Sequence, residues 1–274
     1  MRAYSSYKDI TRLVNKVDSV GLVPTMGSLH KGHLSLIRRA LCENEKVIVS
    51  IYVNPLQFNS SDELKEYPRD IKNDLQKLEA LGGILAYVPN DNDIYEKNEK
   101  KIKYNFGQFT KIMEGKMRPG HFDGVATVVE KLLTMFNPTN AYFGEKDFQQ
   151  LILIKALVKE QKLKVNIIGC KTIREDDGLA ISSRNKLLNK TERESASNII
   201  RLLKKARQLY KNSTLNETKI NIVKDALMIE NLNLEYFEIL DISKLSGFLE
   251  QEEEIRAFIA CKVGNIRLID NITI

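Results

Sequence analysis

The sequence predicts an α/β protein: a doubly wound, largely parallel sheet over residues 1–175, followed by a smaller α+β domain over residues 176–274. Three observations predict it. Short apolar runs alternate with helical patterns up to about residue 170, as βα units joined by short turns do. Residues 47–53, Val-Ile-Val-Ser-Ile-Tyr-Val, form a continuous apolar run, which a strand buried on both faces of a parallel sheet requires. Beyond residue 190 the alternation stops, and helices are followed by a run of strands.

Residues 5–17 read as a first helix, with Ile10, Leu13, Val14 and Val17 on one face. Residues 20–23 read as a buried strand, and Leu34, Ile37 and Leu41 recur at helical spacing to about residue 45. Between them lies Val23-Pro24-Thr25-Met26-Gly27-Ser28-Leu29-His30-Lys31-Gly32-His33. Two of the three histidines in the chain therefore sit where a strand turns into a helix. Open α/β sheets bind ligands outside the carboxyl ends of their strands. A helix start offers unpaired N–H groups and the positive end of the macrodipole, which suits phosphate. His30 and His33 fall on the same side of the first turn. Gly27 and Gly32 let the backbone turn sharply beside a ligand. The residues favour an anion or nucleotide site, and a plain glycine turn with two surface histidines is the alternative.

The run at 47–53 ends in Asn54-Pro55-Leu56-Gln57-Phe58. Gln57 carries a donor and an acceptor and can hold a hydroxyl and a carboxylate together; an Asn-Pro turn with a solvated glutamine describes the same residues equally well. Tyr67-Pro68-Arg69-Asp70 leads into a helix over 71–81, with Leu75 and Leu78 inward and Gly82-Gly83 closing it. A strand follows at 84–88. Residues 90–111 read as a polar surface excursion, with Lys97, Lys100, Lys101 and Lys103 on a solvated basic face. His121, in Arg118-Pro119-Gly120-His121-Phe122-Asp123-Gly124-Val125, reads as a loop or capping residue ahead of a helix to about 136.

Residues 141–143 form a short strand before Gly144-Glu145-Lys146-Asp147 and a strongly apolar helix through Leu151, Ile154, Leu157 and Val158. Asp147 and Gln150 have capping-box spacing. Lys146, at the strand exit, is placed to neutralise a phosphate. A last parallel strand at 165–170 precedes Arg174-Glu175-Asp176-Asp177-Gly178-Leu179-Ala180-Ile181-Ser182-Ser183-Arg184-Asn185. Arg184 offers a bidentate fork and the serines offer hydroxyls; read alone, Ser-Ser-Arg-Asn is a polar loop. A capping box at 191–194 starts a helix to about 210, a second helix lies near 216–230, and strands fall at 234–240, 254–263 and 266–274.

The net charge of +6 and pI of about 9.0 favour acidic partners. The lysines are scattered rather than clustered, so a phosphate-rich small substrate accounts for the balance as well as nucleic acid does. Cys42, Cys170 and Cys261 are odd in number and dispersed, which gives neither a disulfide framework nor zinc-ligand spacing. No protein-only metal site is expected. With no apolar leader and no run long enough to span a bilayer, a cytoplasmic protein that engages neither membrane nor nucleic acid is expected.

The stretch Pro-Thr-Met-Gly-Ser-Leu-His-Lys-Gly-His resembles the His-x-Gly-His signature of the adenylylating α/β superfamily, which includes nucleotidylyltransferases and class I aminoacyl-tRNA synthetases with Rossmann-like sheets. Its flanks, together with Asn54–Phe58, Arg118–Val125, Gly144–Asp147 and Arg174–Asn185, resemble in order the blocks of the pantothenate synthetase family, the pantoate–β-alanine ligases. The resemblance implies condensation of pantoate with β-alanine to pantothenate, AMP and pyrophosphate, through a pantoyl adenylate. ATP is then a substrate, with Mg²⁺ carried on it, and the assembly a homodimer. It implies ATP contacts from Met26, Gly27, Ser28, Leu29, His30, Lys31, Gly32 and His33. Gly144, Glu145, Lys146 and Asp147 would supply others, and so would Ile173, Ile181, Ser182, Ser183 and Arg184. Gln57 and Gln150 match the positions that hold pantoate, with Gln57 also at β-alanine. His30, His33, Lys146 and Arg184 would stabilise the charge on the phosphates. The second domain would act as a lid. A nucleotidylyltransferase acting on a phosphorylated acceptor is the alternative, and Gln57 and the Ser-Ser-Arg-Asn block argue against it. An RNA-binding module would need a clustered basic stripe, which the sequence lacks.

Overall fold

Parallel pairing organises the first sheet in the computed structural model, which describes residues 1–96, 102–245 and 254–274. Its strands are β1 (Ala3–Tyr4), β2 (Val20–Thr25), β3 (Lys46–Ile51), β4 (Ile84–Tyr87), β5 (Asn140–Gly144) and β6 (Asn166–Cys170), in spatial order β1-β4-β3-β2-β5-β6. Every pairing among them is parallel. The helices between are α1 (Tyr7–Val14), α2 (Lys31–Glu43), α3 (Ser61–Glu66), α4 (Ile71–Leu81), α5 (Asp91–Ile94), α6 (Met113–Met117), α7 (His121–Phe136) and α8 (Phe148–Glu160). The chain winds outward from β2 through β3 to β4, then returns to place β5 on the other side of β2. That reversal is the topological switch point at which such sheets bind ligands.

The predicted run at 47–53 is β3, buried at every position from Val47 to Ile51. Val23 and Ala86 on the neighbouring strands and Tyr142 of β5 are fully buried with it, in one cluster with Ile37 and Ala40 of α2 and Leu78 of α4. Gly82 ends α4 with φ +70° and donates to the Leu78 and Glu79 carbonyls, the cap expected there.

Several readings need correction. The first helix is shorter than residues 5–17, and Leu13 is exposed rather than inward; only Ile10 and Val14, one turn apart, reach the core. Residues 90–111 are not simply a surface excursion, because Ile94, Phe106 and Phe109 are buried. Lys97, Lys100 and Lys101 of the expected basic face lie outside the described residues. The two-residue β1, too short for any periodic signal, was not expected.

The chain divides into two compact units, residues 1–145 with 149–171, and residues 146–148 with 172–274. The second contains α9 (Lys190–Ala196), α10 (Asn198–Tyr210), α11 (Leu215–Leu227), β7 (Leu232–Asp241), α12 (Ile242–Leu245), β8 (Ile255–Val263) and β9 (Ile266–Thr273). Its sheet is antiparallel in order β7-β8-β9. Leu203 and Ala206 of α10 and Ile222 of α11 pack with Ile239, Ile259 and Cys261 in its core. The expected single helix to residue 210 is two helices. Its capping box is Asn189 with Glu192, and the break falls at Ser197, whose Oγ donates to the Glu194 carbonyl at 2.7 Å and competes with the helical ladder. No helix among the described residues is long and apolar enough to cross a membrane.

Candidate active site

In the first unit β2 and β3 end in register, Thr25 beside Ile51, so the turns that follow open at one edge of the sheet. Thr25 Oγ1 donates to the Ser50 carbonyl at 2.7 Å and accepts from the Gly27 N–H at 3.2 Å. Gly27 has φ +78° and Ser28 φ +50°. A Cβ on Gly27 would stand 3.0 Å from Asp74 Oδ2 and 3.1 Å from Ile51 Cγ2, so both conformation and space require glycine. Ser28 holds the left-handed region without that freedom, which costs energy unless its surroundings enforce it. They do: Asp74, 1 % exposed, accepts the Ser28 N–H at 2.8 Å and the Leu29 N–H at 2.6 Å. Lys77 Nζ donates to the Leu29 carbonyl at 2.7 Å. Helix α4 thereby clamps the signature turn. Ser28 and Leu29 are buried, and their N–H groups on Asp74 fix the shape of the turn.

His30 is the N-cap of the 13-residue α2 and His33 its third residue. Their rings stack at 3.9 Å with 23° between planes. His33 Nδ1 accepts a long hydrogen bond, 3.4 Å, from the His30 N–H. An accepting Nδ1 puts the ring proton on Nε2. His33 is then a neutral donor at the positive end of a helix dipole, and the close stacking disfavours two imidazolium rings at once.

After β3, Pro55–Gln57 forms a single 3-10 turn, and Asn54 and Gln57 are both buried. The reading of Gln57 as a solvated loop residue is therefore overturned. Asn54 Oδ1 accepts from the Leu56 N–H at 3.2 Å and the Tyr95 hydroxyl at 2.7 Å. With the oxygen fixed in that direction, Asn54 Nδ2 donates to Gln57 Oε1 at 3.0 Å and to the Gly124 carbonyl at 3.1 Å. The Gln57 amide is thus oriented with its oxygen engaged and its NH₂ directed to Met26 Sδ, 3.2 Å away. It presents donors, which suit an oxygen-rich ligand.

The Gln57 backbone is held from α7. His121 Nδ1 lies 2.7 Å from the Gln57 carbonyl, and its Nε2 lies 3.2 Å from Arg118 Nη1. A guanidinium only donates, so Nε2 accepts and Nδ1–H donates to Gln57. His121 is not a loop residue but the buried first residue of α7. Burial, then the Arg118 charge, lowers its pKa to about 4. The unfolded chain takes up this proton near pH 6.5, so the stabilisation is complete above that value and is lost as pH falls through about 4. The difference is worth about 3 kcal/mol. Urea midpoints measured from pH 7 to 4 should fall less steeply in His121→Asn than in the parent; equal slopes would remove His121 as the cause.

Gly144 ends β5 and Glu145 begins a 3-10 turn, Glu145–Asp147. In α8, Gln149 is buried, accepting from the Glu114 N–H at 3.0 Å and donating to the Phe109 carbonyl at 2.7 Å. Gln150, one position on, is half-buried. The first unit thus gathers the signature turn, Asn54–Gln57 and the Gly144–Glu145 exit at the carboxyl ends of three adjacent strands.

The second unit carries the other predicted residues. Lys146 Nζ donates to Asp147 Oδ1 at 2.8 Å. Residues 173–181 form a hairpin closed by the Arg174–Ala180 bridge and by Ile181 N–H donating to the Ile173 carbonyl at 3.0 Å. Ile173 is exposed, while Ile181 and Ser183 are buried. Ser182 Oγ accepts the Arg184 N–H at 3.3 Å and caps the 3-10 turn Ser183–Leu187. Ser-Ser-Arg-Asn is therefore an ordered turn rather than a plain polar loop. Among the described residues, no three His, Cys, Asp or Glu side chains stand close enough to hold a metal ion.

The sequence reading missed Asp74 and Tyr95. Asp74 carried a signal: it lies one turn before Leu78 on the inward face of α4, where an acid calls for a buried partner. Tyr95 sits in a polar stretch without periodicity and carried none.

Known proteins share this sequence and fold. Residues 1–273 match the family model described as pantoate-beta-alanine ligase. A pantothenate synthetase of Flavobacterium psychrophilum is 45% identical over 259 residues, covering 93% of this chain and 92% of the relative. A solved pantothenate synthetase of Thermus thermophilus superposes with a TM-score of 0.91 at 35% identity, covering 99% of each chain. A Francisella tularensis pantoate-beta-alanine ligase, solved with beta-gamma ATP and beta-alanine, gives a TM-score of 0.80 at 38% identity over 100% of this chain and 97% of that one.

Proposed function

The chain belongs to the pantoate-beta-alanine ligase family, and from that premise we propose how its residues carry out the ATP-dependent joining of pantoate to β-alanine. Pantoate's carboxylate attacks the α-phosphorus of MgATP, forming pantoyl adenylate and releasing pyrophosphate. The amine of β-alanine then attacks the acyl carbon, giving pantothenate and AMP. A carboxylate needs such activation because its own oxygen is a poor leaving group, and the transition state spreads negative charge over phosphate oxygens. The work falls to preorganised donors and cations rather than to a nucleophilic side chain.

His33 Nε2–H, His30 and the start of α2 are assigned to the phosphates from the first unit. Lys146 and Arg184 are assigned to them from the second, with the residues around Ile173 and Ile181 toward the adenosine. Gln57 and Gln150 hold pantoate. Mg²⁺ arrives on the nucleotide, the enzyme is a cytoplasmic homodimer, and residues 176–274 serve as the lid. The observation that carries this reading is the fixed Gln57 amide: its oxygen is engaged by Asn54 and its NH₂ lies on the Met26 side of the turn, and pantoate's hydroxyls and carboxylate are the acceptors such a donor fits.

The reading is tested by mixing enzyme, MgATP and pantoate without β-alanine. One equivalent of pyrophosphate per site should appear and stop, then resume when β-alanine is added. Pyrophosphate release that ignores pantoate and requires a phosphorylated acceptor would replace the ligase by a nucleotidylyltransferase.

Asn54→Asp tests the amide orientation. A carboxylate at that position accepts from the Gln57 NH₂ and turns its oxygen toward the substrate. The KM for pantoate should rise by about tenfold or more, as expected when a buried polar pairing is reversed, while the KM for ATP changes little. An unchanged pantoate KM would show that Gln57 is not oriented by Asn54.

A further inference from the structure

Two consecutive residues of β9, Asp270 and Asn271, are buried at 3 % exposure each in a strand whose other core positions are apolar. Buried polar side chains are paired for a reason, and here the pairs lead to the two segments of the second unit assigned above to the nucleotide. We infer that Asn271 and Asp270 are positioning residues, Asn271 for Lys146 and Asp270, through Arg174, for the arm that carries Ile181 to Arg184.

Asn271 Nδ2 donates to the Lys146 carbonyl at 2.9 Å. Its amide direction is set from behind, because Oδ1 accepts from Arg256 Nη1 and a guanidinium can only donate. Arg256 also lies 3.8 Å over the ring of Phe148, two residues beyond Lys146. The segment Lys146–Phe148 is therefore gripped at its first residue by Asn271 and at its last by Arg256. Next to Asn271, Asp270 receives both arms of Arg174, at 2.6 and 3.0 Å. Arg174 also donates to the Gly178 carbonyl at 3.1 Å and forms the bridge with Ala180 that closes the hairpin before Ser182. One stretch of β9 thus locates a cation at residue 146 and the turn bearing Arg184. A cation acts on a phosphoryl transition state only if its backbone is held in place, and displacement by about 1 Å can cost 10²-fold.

This inference rests on the assignment of Lys146 to the nucleotide, and a double-mutant cycle separates the two. Asn271→Asp keeps the size of the side chain and its pairing with Arg256, but sets an oxygen against the Lys146 carbonyl. Steady-state AMP formation and the affinity for α,β-methylene-ATP are measured for the parent, N271D, K146A and the double variant. In the parent background N271D should lower kcat/KM for ATP by about tenfold and leave the KM for pantoate unchanged. In the K146A background that loss should vanish, because the residue through which Asn271 acts is gone. The same tenfold loss in both backgrounds would make Asn271 a merely structural residue and overturn the inference while leaving Lys146 in place. K146A without any effect would remove the assignment of Lys146, and the inference with it. If N271D does not fold, Asn271→Ser, which deletes the donor without adding charge, carries the same cycle with the same outcomes.

Discussion

Replacing His33 by alanine should lower kcat by about 10²- to 10³-fold, the loss typical of removing one preorganised donor from a developing oxyanion, with stability changed by less than about 1 kcal/mol. The argument rests on the tautomer. His33 Nδ1 faces the His30 N–H, so the ring proton is on Nε2 and the residue acts as a neutral donor next to the α2 N-terminus. A glutamine at this position places an amide N–H near the same point, whereas asparagine, one methylene shorter, does not. His33→Gln should therefore retain more activity than His33→Asn, and its rate should vary little with pH between 6 and 8. Equal and complete loss in both, with a titration near neutrality in the parent, would instead assign His33 a role as a charged acid.

Gly124→Ala should press a methyl group into the backbone of the turn that presents Gln57. A Cβ there would stand 2.4 Å from the Leu56 carbonyl oxygen and 2.7 Å from the Gln57 nitrogen. Both are backbone atoms of the turn that presents Gln57, so the clash cannot be relieved by a rotamer change. The expected cost is about 3 kcal/mol or more, the upper range for overpacking. Because the strain is relieved by moving the Pro55–Gln57 turn, the KM for pantoate should rise by about 10²-fold while α,β-methylene-ATP still binds. Urea unfolding and pantoate kinetics check the two halves separately. A variant with parental stability and parental pantoate KM would mean that α7 does not set the turn.

Much of this was legible in the residues, for identifiable reasons. The continuous apolar run of β3 and the glycines after α4 report local requirements, burial on both faces and a left-handed cap, and both stand where expected. The signature turn was legible because His30, His33 and Gly27 are unusual at a strand-to-helix turn. What supports that turn was not, since Asp74 lies 46 residues from Ser28 and only the packing of α4 brings them together. The orientation of Gln57 depends on a similar long-range chain, from Tyr95 through Asn54. The paired roles of Asp270 and Asn271 were hidden because a strand pattern records which face is buried but not which backbone carbonyl a buried amide meets. His121 was read as a loop or capping residue because glycine and proline precede it, and its burial against Gln57 is a tertiary fact.

The central claim is that the acyl group is activated as an adenylate. Pantoate labelled with ¹⁸O in its carboxylate, turned over with MgATP and β-alanine, tests it most directly, with each product analysed by mass spectrometry. Attack of the carboxylate on the α-phosphorus predicts that one labelled oxygen passes to AMP and none to pyrophosphate. Unlabelled AMP, with the heavy oxygen recovered in pyrophosphate or inorganic phosphate, would contradict it and place the bond-forming step at another phosphorus.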